Sequence, residues 1–262
     1  MAPTSFLNWI GSLPLDVALV LVVLPTVLFA MLGTLAVRTL FAGMLTAASA
    51  VGPSKSQVAA QIYGVVLGFI IVYGFAEFND ARQNVLKEAA TLGRLIAQAP
   101  LAGESASGAI ATAVRSYSQT VAVKEWPLIA NGGESAEAQN ALHVLENAIL
   151  GAGSSTDNLV KMRLSTLLDE IASRRVDRLS AAPDPDMSRI ISQLLLVGAA
   201  LAIGTGWFLR GPSIAVHLIL VAMISSSVVT MMVLSAQLLY PFSGPVAISP
   251  QPFLAIAAAG KS

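Results

Sequence analysis

Four runs without a charged residue, 17–37, 58–76, 190–209 and 214–240, set the plan of this chain. Each is apolar on all sides rather than on one face. Each is also long enough: at 1.5 Å per residue, about twenty helical residues cross a hydrocarbon core of roughly 30 Å. The pattern predicts four membrane-spanning helices arranged as two hairpins. Between the second and third runs lies a stretch of opposite character, polar and one-faced.

The second helix is expected to outlast its apolar run. From residue 58 to 97 there is no proline, and Gly93 is the only glycine after Gly74. Beyond Glu77, the residues Val85, Ala89, Leu92 and Ile96 fall at i, i+4, i+7 and i+11, one face of a helix. One unbroken helix of about 60 Å would then leave the bilayer and carry motion or force with it. Pro100 and Gly103 end it. Three more helices follow. Ile110, Val114, Tyr117 and Val121 share a face, and Trp126-Pro127 is expected to close that helix. Leu142, Leu145 and Ile149 mark the next. Val160, Leu164, Leu167 and Ile171 mark the last, with Ser154 and Asp157 reading as a capping pair. Pro25 predicts a kink in the first span, and the apolar connection 38–57 reads as re-entrant or interfacial. No strand alternation, repeat or low-complexity tract is visible.

The fold class is therefore all-α: an integral membrane protein with four transmembrane helices in two hairpins and a cytoplasmic helical bundle between spans 2 and 3. The expected divisions are 1–78 (first hairpin), 79–188 (insert, continuous with span 2), 189–240 (second hairpin) and 241–262. The last is a Pro-rich tail too apolar for a solvated linker, expected to dock on the insert or a neighbouring copy.

Composition sharpens this. Hydrophobic residues make up 55% of the 262 and charged residues 11%, with a mean hydropathy of +0.72; soluble domains carry about 25% charge. The insert holds 10 of the 15 Lys and Arg and 13 of the 15 acids between residues 79 and 188. A net charge of zero argues against a nucleic-acid partner. The absence of cysteine removes disulfides, thiol catalysis and Cys-ligated metals. The bases near the span ends on the insert side (Arg82, Lys87, Arg174, Arg175, Arg178, Arg189) outnumber Arg38, Lys55 and Arg210 opposite, which places the insert and both termini in the cytoplasm.

No catalytic set, metal spacing, phosphate loop or cofactor motif appears, so the chain is not read as an enzyme. Carboxylates are scattered on helix faces taken to be solvated. His143 reads as a bundle-surface residue; His217, near the start of the fourth span, faces an aqueous path or pairs with a carbonyl. The hydroxyls of Ser225-Ser226-Ser227, Thr230 and Ser235 are expected to bond back to their own helix or to join helices. One stripe of the second span is more informative: Gln57, Gln61, Gly64, Gly68, Ile71, Phe75, Phe78 and Arg82 recur at helical spacing. Facing the axis of an oligomer, it gives a polar mouth, a small-residue section, an aromatic constriction and a cationic exit suited to anions. Against this stands the plain alternative that the glycines pack helices and the phenylalanines meet lipid. The opposite stripe, Tyr73, Glu77, Asp80 and Asn84, would favour cations instead.

Several segments together resemble the bestrophin-like domain family of four-span proteins. They are Val85-x-x-Glu88-Ala89-x-x-Leu92-Gly93-x-Leu95, Tyr117, Glu125-Trp126-Pro127, Arg174-Arg175-x-x-Arg178-Leu179, Pro241-Phe242-Ser243-Gly244 and Ile248-Ser249-Pro250-Gln251-Pro252-Phe253. Tyr240 stands where the family usually has an acid. The resemblance implies a distant likeness to bestrophins, oligomeric anion channels whose second span lines the pore. It implies a homo-oligomer in the bacterial inner membrane with lipid and inorganic ions as partners. A potassium-type channel using Glu77 and Asp80, or a non-conducting scaffold whose bundle binds a partner, are the alternatives.

Overall fold

The computed structural model of the chain describes residues 6–41, 52–151, 157–182, 185–208 and 213–259. Every regular element among them is helical. In chain order these are α1 (Phe6–Ser12), α2 (Leu15–Leu40), α3 (Gly52–Gln98), α4 (Glu104–Thr120), α5 (Ala136–Leu150), α6 (Asn158–Ser180), α7 (Pro185–Trp207), α8 (Ile214–Leu239) and α9 (Gln251–Ala258). Four stretches are long and apolar enough to span a bilayer: Leu15–Leu40, Gln61–Ala102, Ser188–Trp207 and Ile214–Leu239. The chain forms two compact units. One joins Met1–Ala76 to Asp184–Val246; the other joins Glu77–Pro183 to Ala247–Ser262.

In the first unit α8 packs against α1, α2 and α7, around a core that includes Ile10, Val22, Leu67, Leu195, Ile203 and Val233. Glycine sets one contact distance. A Cβ on Gly198 would overlap the Tyr63 ring, so only glycine admits that ring; its hydroxyl donates to the Leu195 carbonyl at 3.1 Å. Gly204 has open space and Gly206 only ordinary contact, so Gly198 alone of the α7 glycines serves close packing. Ser225 and Ser235 bond back to the Val221 and Met231 carbonyls at 2.7 and 2.9 Å, so neither hydroxyl is free to line a path. The outer faces are bare: Phe29, Leu32, Phe69, Val72, Leu194 and Leu201 are each more than 60% exposed. Such a surface is untenable in water and natural against lipid.

Prolines in two helices are absorbed in the same way. A five-residue π segment, Leu19–Val23, precedes Leu24-Pro25 in α2, and another, Val121–Glu125, precedes Trp126-Pro127 after α4. Proline lacks an N–H and crowds the carbonyl four residues back, and a wider turn relieves both. Trp126-Pro127 therefore does not close the helix. The chain continues for another helical turn, Trp126–Ile129.

Helix α3 is a single run from Gly52 to Gln98. A 3₁₀ turn, Ala99–Ala102, follows it, and Gly103 at φ +95° then reverses the chain. That φ is costly for any residue with a Cβ. In the second unit α4 packs against α5 and α9, and α5 against α6. The core includes Val85, Leu92, Ile110, Leu145, Leu164 and Phe253. Ser135 caps α5 by accepting from Ala138 N, and Asp157 caps α6 by accepting from Leu159 N. The Ser154 half of the capping pair and most of the connection after Arg38 lie outside the described residues. Helix α9 is held to the bundle at both ends: Trp126 Nε1 donates to the Ile248 carbonyl at 3.1 Å, and Arg115 Nε to the Ala259 carbonyl at 2.6 Å.

Candidate functional site

The densest chemistry of the second unit is a buried ionic cluster. Arg178 on α6 is fully buried. Its Nε donates to Glu88 Oε2 at 2.7 Å; its Nη2 donates to Glu88 Oε1 at 3.2 Å and to Glu125 Oε1 at 2.9 Å. Arg175, one turn earlier, donates from Nη2 to Glu125 Oε2 at 2.6 Å and from Nη1 to Gln139 Oε1. Tyr117 Oη donates to Glu88 Oε1 at 2.8 Å. The rings of Trp126 and Phe253 lie 5.7 and 5.3 Å from the Arg178 guanidinium carbon, a cation–π pair that joins α9 to the cluster. Two carboxylates and two guanidiniums cancel, which is what permits such burial.

The electrostatics are those of a lock rather than a reaction centre. Burial raises the Tyr117 hydroxyl well above the usual phenol range, and the charge of Glu88 adds to the rise. Burial works against the charge on Arg178, but Glu88 beside it outweighs that and holds the guanidinium above its ordinary value. No nucleophile is activated here, and no group of three or more His, Cys, Asp or Glu able to hold a metal occurs among the described residues.

The second-span stripe is placed as follows. Helix α3 packs inward through Tyr63, Leu67 and Gly74 in the first unit and through Ala81, Val85 and Glu88 in the second. Gln61, Gly64, Gly68, Phe75 and Arg82 are exposed; Ile71 and Phe78 are half-buried. A Cβ added to Gly64 or Gly68 would meet nothing within 4 Å, so these glycines do not serve packing inside the protomer. Arg82 makes no ion pair among the described residues. The side chain of Gln57 lies outside the described residues. Of the opposite stripe, Tyr73, Glu77 and Asp80 are exposed as well, while Asn84 accepts from Arg174 at 3.1 Å.

The chain matches the Bestrophin-like domain family over residues 23–253. It belongs to that family. Among solved structures, a variant of a bacterial bestrophin homolog from Klebsiella pneumoniae is similar over 89% of this chain and 96% of its own, at 15% identity and a TM-score of 0.69. A second variant of that homolog matches over 90% and 99%, at 16% identity and a TM-score of 0.66. A further membrane-protein structure matches over 90% and 96%, at 15% identity and a TM-score of 0.69. These likenesses establish the fold. None of the curated proteins compared with the chain matches it.

Two members of the cluster overturn one reading of this bestrophin-like sequence. Glu88 and Glu125, taken with the other carboxylates as solvated, are fully buried. The signal was in the register. Glu88 shares the apolar face of Val85, Ala89 and Leu92, and Arg175 and Arg178 continue the Leu164–Leu167–Ile171 face at the next two turns. A charge in a core register announces a buried partner. His143 is a surface residue, exposed and in contact with Gln139 and Glu146. His217 is not: it is 4% exposed, and its Nε2 has no hydrogen-bond partner among the described residues.

Proposed function

We propose that this bestrophin-like protein is an oligomeric ion channel of the bacterial inner membrane, anion-conducting, with its pore lined by the α3 face that carries Gln57, Gln61, Gly64, Gly68, Ile71, Phe75, Phe78 and Arg82. The observation that carries the reading is that this stripe holds two glycines that accommodate nothing in the protomer and one cation without an ion pair among the described residues. A lone four-span protomer encloses too little to conduct; rotational symmetry brings equivalent α3 faces together around a central path. Phe75 and Phe78 then form an apolar constriction that closes by excluding water, and Arg82 supplies a ring of positive charge. The insert and both termini lie in the cytoplasm. Labelling of single cysteines at Ser135 and Ser213 from one side of intact cells tests that orientation separately from conduction.

The test is current through purified protein in planar bilayers. Phe75→Ala with Phe78→Ala raises conductance or leaves the channel open. Arg82→Glu shifts the reversal potential toward cation selectivity, since each copy changes its charge at the exit by two. A wild-type reversal potential that follows the potassium gradient would move the pathway to Tyr73, Glu77 and Asp80. No current from either wild type or the double alanine variant, across calcium, pH and voltage, would leave a scaffold whose bundle binds a partner.

A further inference from the structure

The first unit contains a set of polar groups that the channel reading does not use. At the end of the unit where α2 and α7 finish and α8 begins, three buried nitrogens have no hydrogen-bond partner among the described residues: Nη2 of Arg38, Nε1 of Trp207 and Nε2 of His217. The helices that carry them pack against one another. His217 is 4% exposed, and the Gly206 carbonyl lies near its ring. With the proton on Nδ1, the tautomer that this carbonyl favours, Nε2 keeps a bare lone pair. The charge of Arg38 reaches this ring. Trp207 lies deeper, against Gly33 of α2.

The charge pattern of the chain points the same way independently. No acidic residue occurs between Asp16 and Glu77, and none at all after Asp186. The connections at this end carry Arg38, Lys55 and Arg210 and no internal counter-charge. A buried, unpaired guanidinium nitrogen is costly, and nothing in this part of the chain can neutralise it. The positive end of α8, capped by Ser213, adds to the same field.

We propose that Arg38 and His217 form a binding site for an oxyanion that carries its own hydroxyl: hydrogen phosphate, or the hydroxylated head group of an anionic phospholipid. One oxygen accepts from Arg38 Nη2–H, and the hydroxyl donates to His217 Nε2. A halide meets the first need and not the second, which separates this site from any conducted halide. The depth suits the source: Arg38 is two residues from the end of α2 and His217 four from the α8 cap, the level of lipid head groups. The proposal is independent of whether the chain conducts.

Full-length protein, stripped of lipid in neutral detergent, is titrated with inorganic phosphate against matched sodium chloride by calorimetry. In parallel it is exchanged into phosphatidylglycerol or phosphatidylcholine nanodiscs, and bound lipid is counted by native mass spectrometry. The expected result is saturable binding of phosphate, or selective retention of phosphatidylglycerol, that chloride does not displace; which arm responds identifies the source. Arg38→Gln and His217→Leu each weaken it by at least about tenfold, and Arg189→Gln at the other end of the unit does not. Circular dichroism establishes that each variant is folded, and Arg38→Lys, which keeps the charge, recovers part of the binding. The proposal is overturned if folded wild type binds neither ligand, if chloride competes on equal terms, or if Arg38→Gln and His217→Leu bind as wild type does.

Discussion

Replacing Arg178 by methionine isolates the worth of the buried cluster. Methionine keeps much of the apolar stem beside Trp126 and Phe253 and removes the charge. Three charge-assisted hydrogen bonds of 2.7, 2.9 and 3.2 Å disappear. Glu125 retains Arg175, whereas Glu88 is left fully buried with only the Tyr117 hydroxyl. Stranding one partner of a buried pair costs about 3–5 kcal/mol, and the lost cation–π contacts fall within that range rather than adding to it. The assay is denaturant unfolding in detergent, followed by Trp126 fluorescence with Trp9 and Trp207 changed to phenylalanine. The exposed pair Arg94–Glu170, at 53% and 33% exposure, is the reference, and Arg94→Ala costs less than about 1 kcal/mol. An Arg178→Met loss no larger than that would refute the idea that the cluster locks this unit.

Tyr117 gives a pH test in the wild type. Its raised pKa means that the unfolded chain ionises first; the stabilisation is full below about pH 10 and is lost as pH rises toward the folded value. Absorbance at 295 nm should show a tyrosine that ionises only with unfolding and that is missing from Tyr117→Phe. Phe253→Ala empties a fully buried site against Arg178 and Trp126 and costs about 3–5 kcal/mol, measured by the same unfolding assay. Gly198→Ala forces a methyl onto the Tyr63 ring and lowers the thermal stability of the first unit, while Gly68→Ala, with open space around it, leaves protomer stability unchanged. Equal effects of the two would argue against close packing of the Tyr63 ring on α7.

The large features of the fold were readable because they rest on continuous signals. Spans follow from runs without charge, and the single run of α3 follows from the missing proline between residues 58 and 97. The π segments before Pro25 and Pro127 were not readable; a shift from four-residue to five-residue hydrogen bonding is settled by how the turn packs. The cluster was half-readable. Each member sits at an apolar register on its own helix, but the pairing of Glu88 with Arg178 across 90 positions is a tertiary fact that no local spacing reports. His217 was singled out with two fates open; its burial and its unpaired Nε2 depend on where α7 meets α8.

The channel reading stands or falls on one face of α3 meeting permeating ions. The chain has no cysteine, so a single introduced thiol can be read without background. Gly68→Cys places it on the stripe where the protomer leaves open space, and Val66→Cys, 48% exposed in the wild-type residue, places it on the opposite face of the same helix. Currents are recorded in planar bilayers while a negatively charged thiosulfonate reagent is applied. Rapid, irreversible change of current is expected at Gly68→Cys and none at Val66→Cys. The reverse pattern, or modification of Gly68→Cys with no change in a measurable current, would contradict a pore lined by this face.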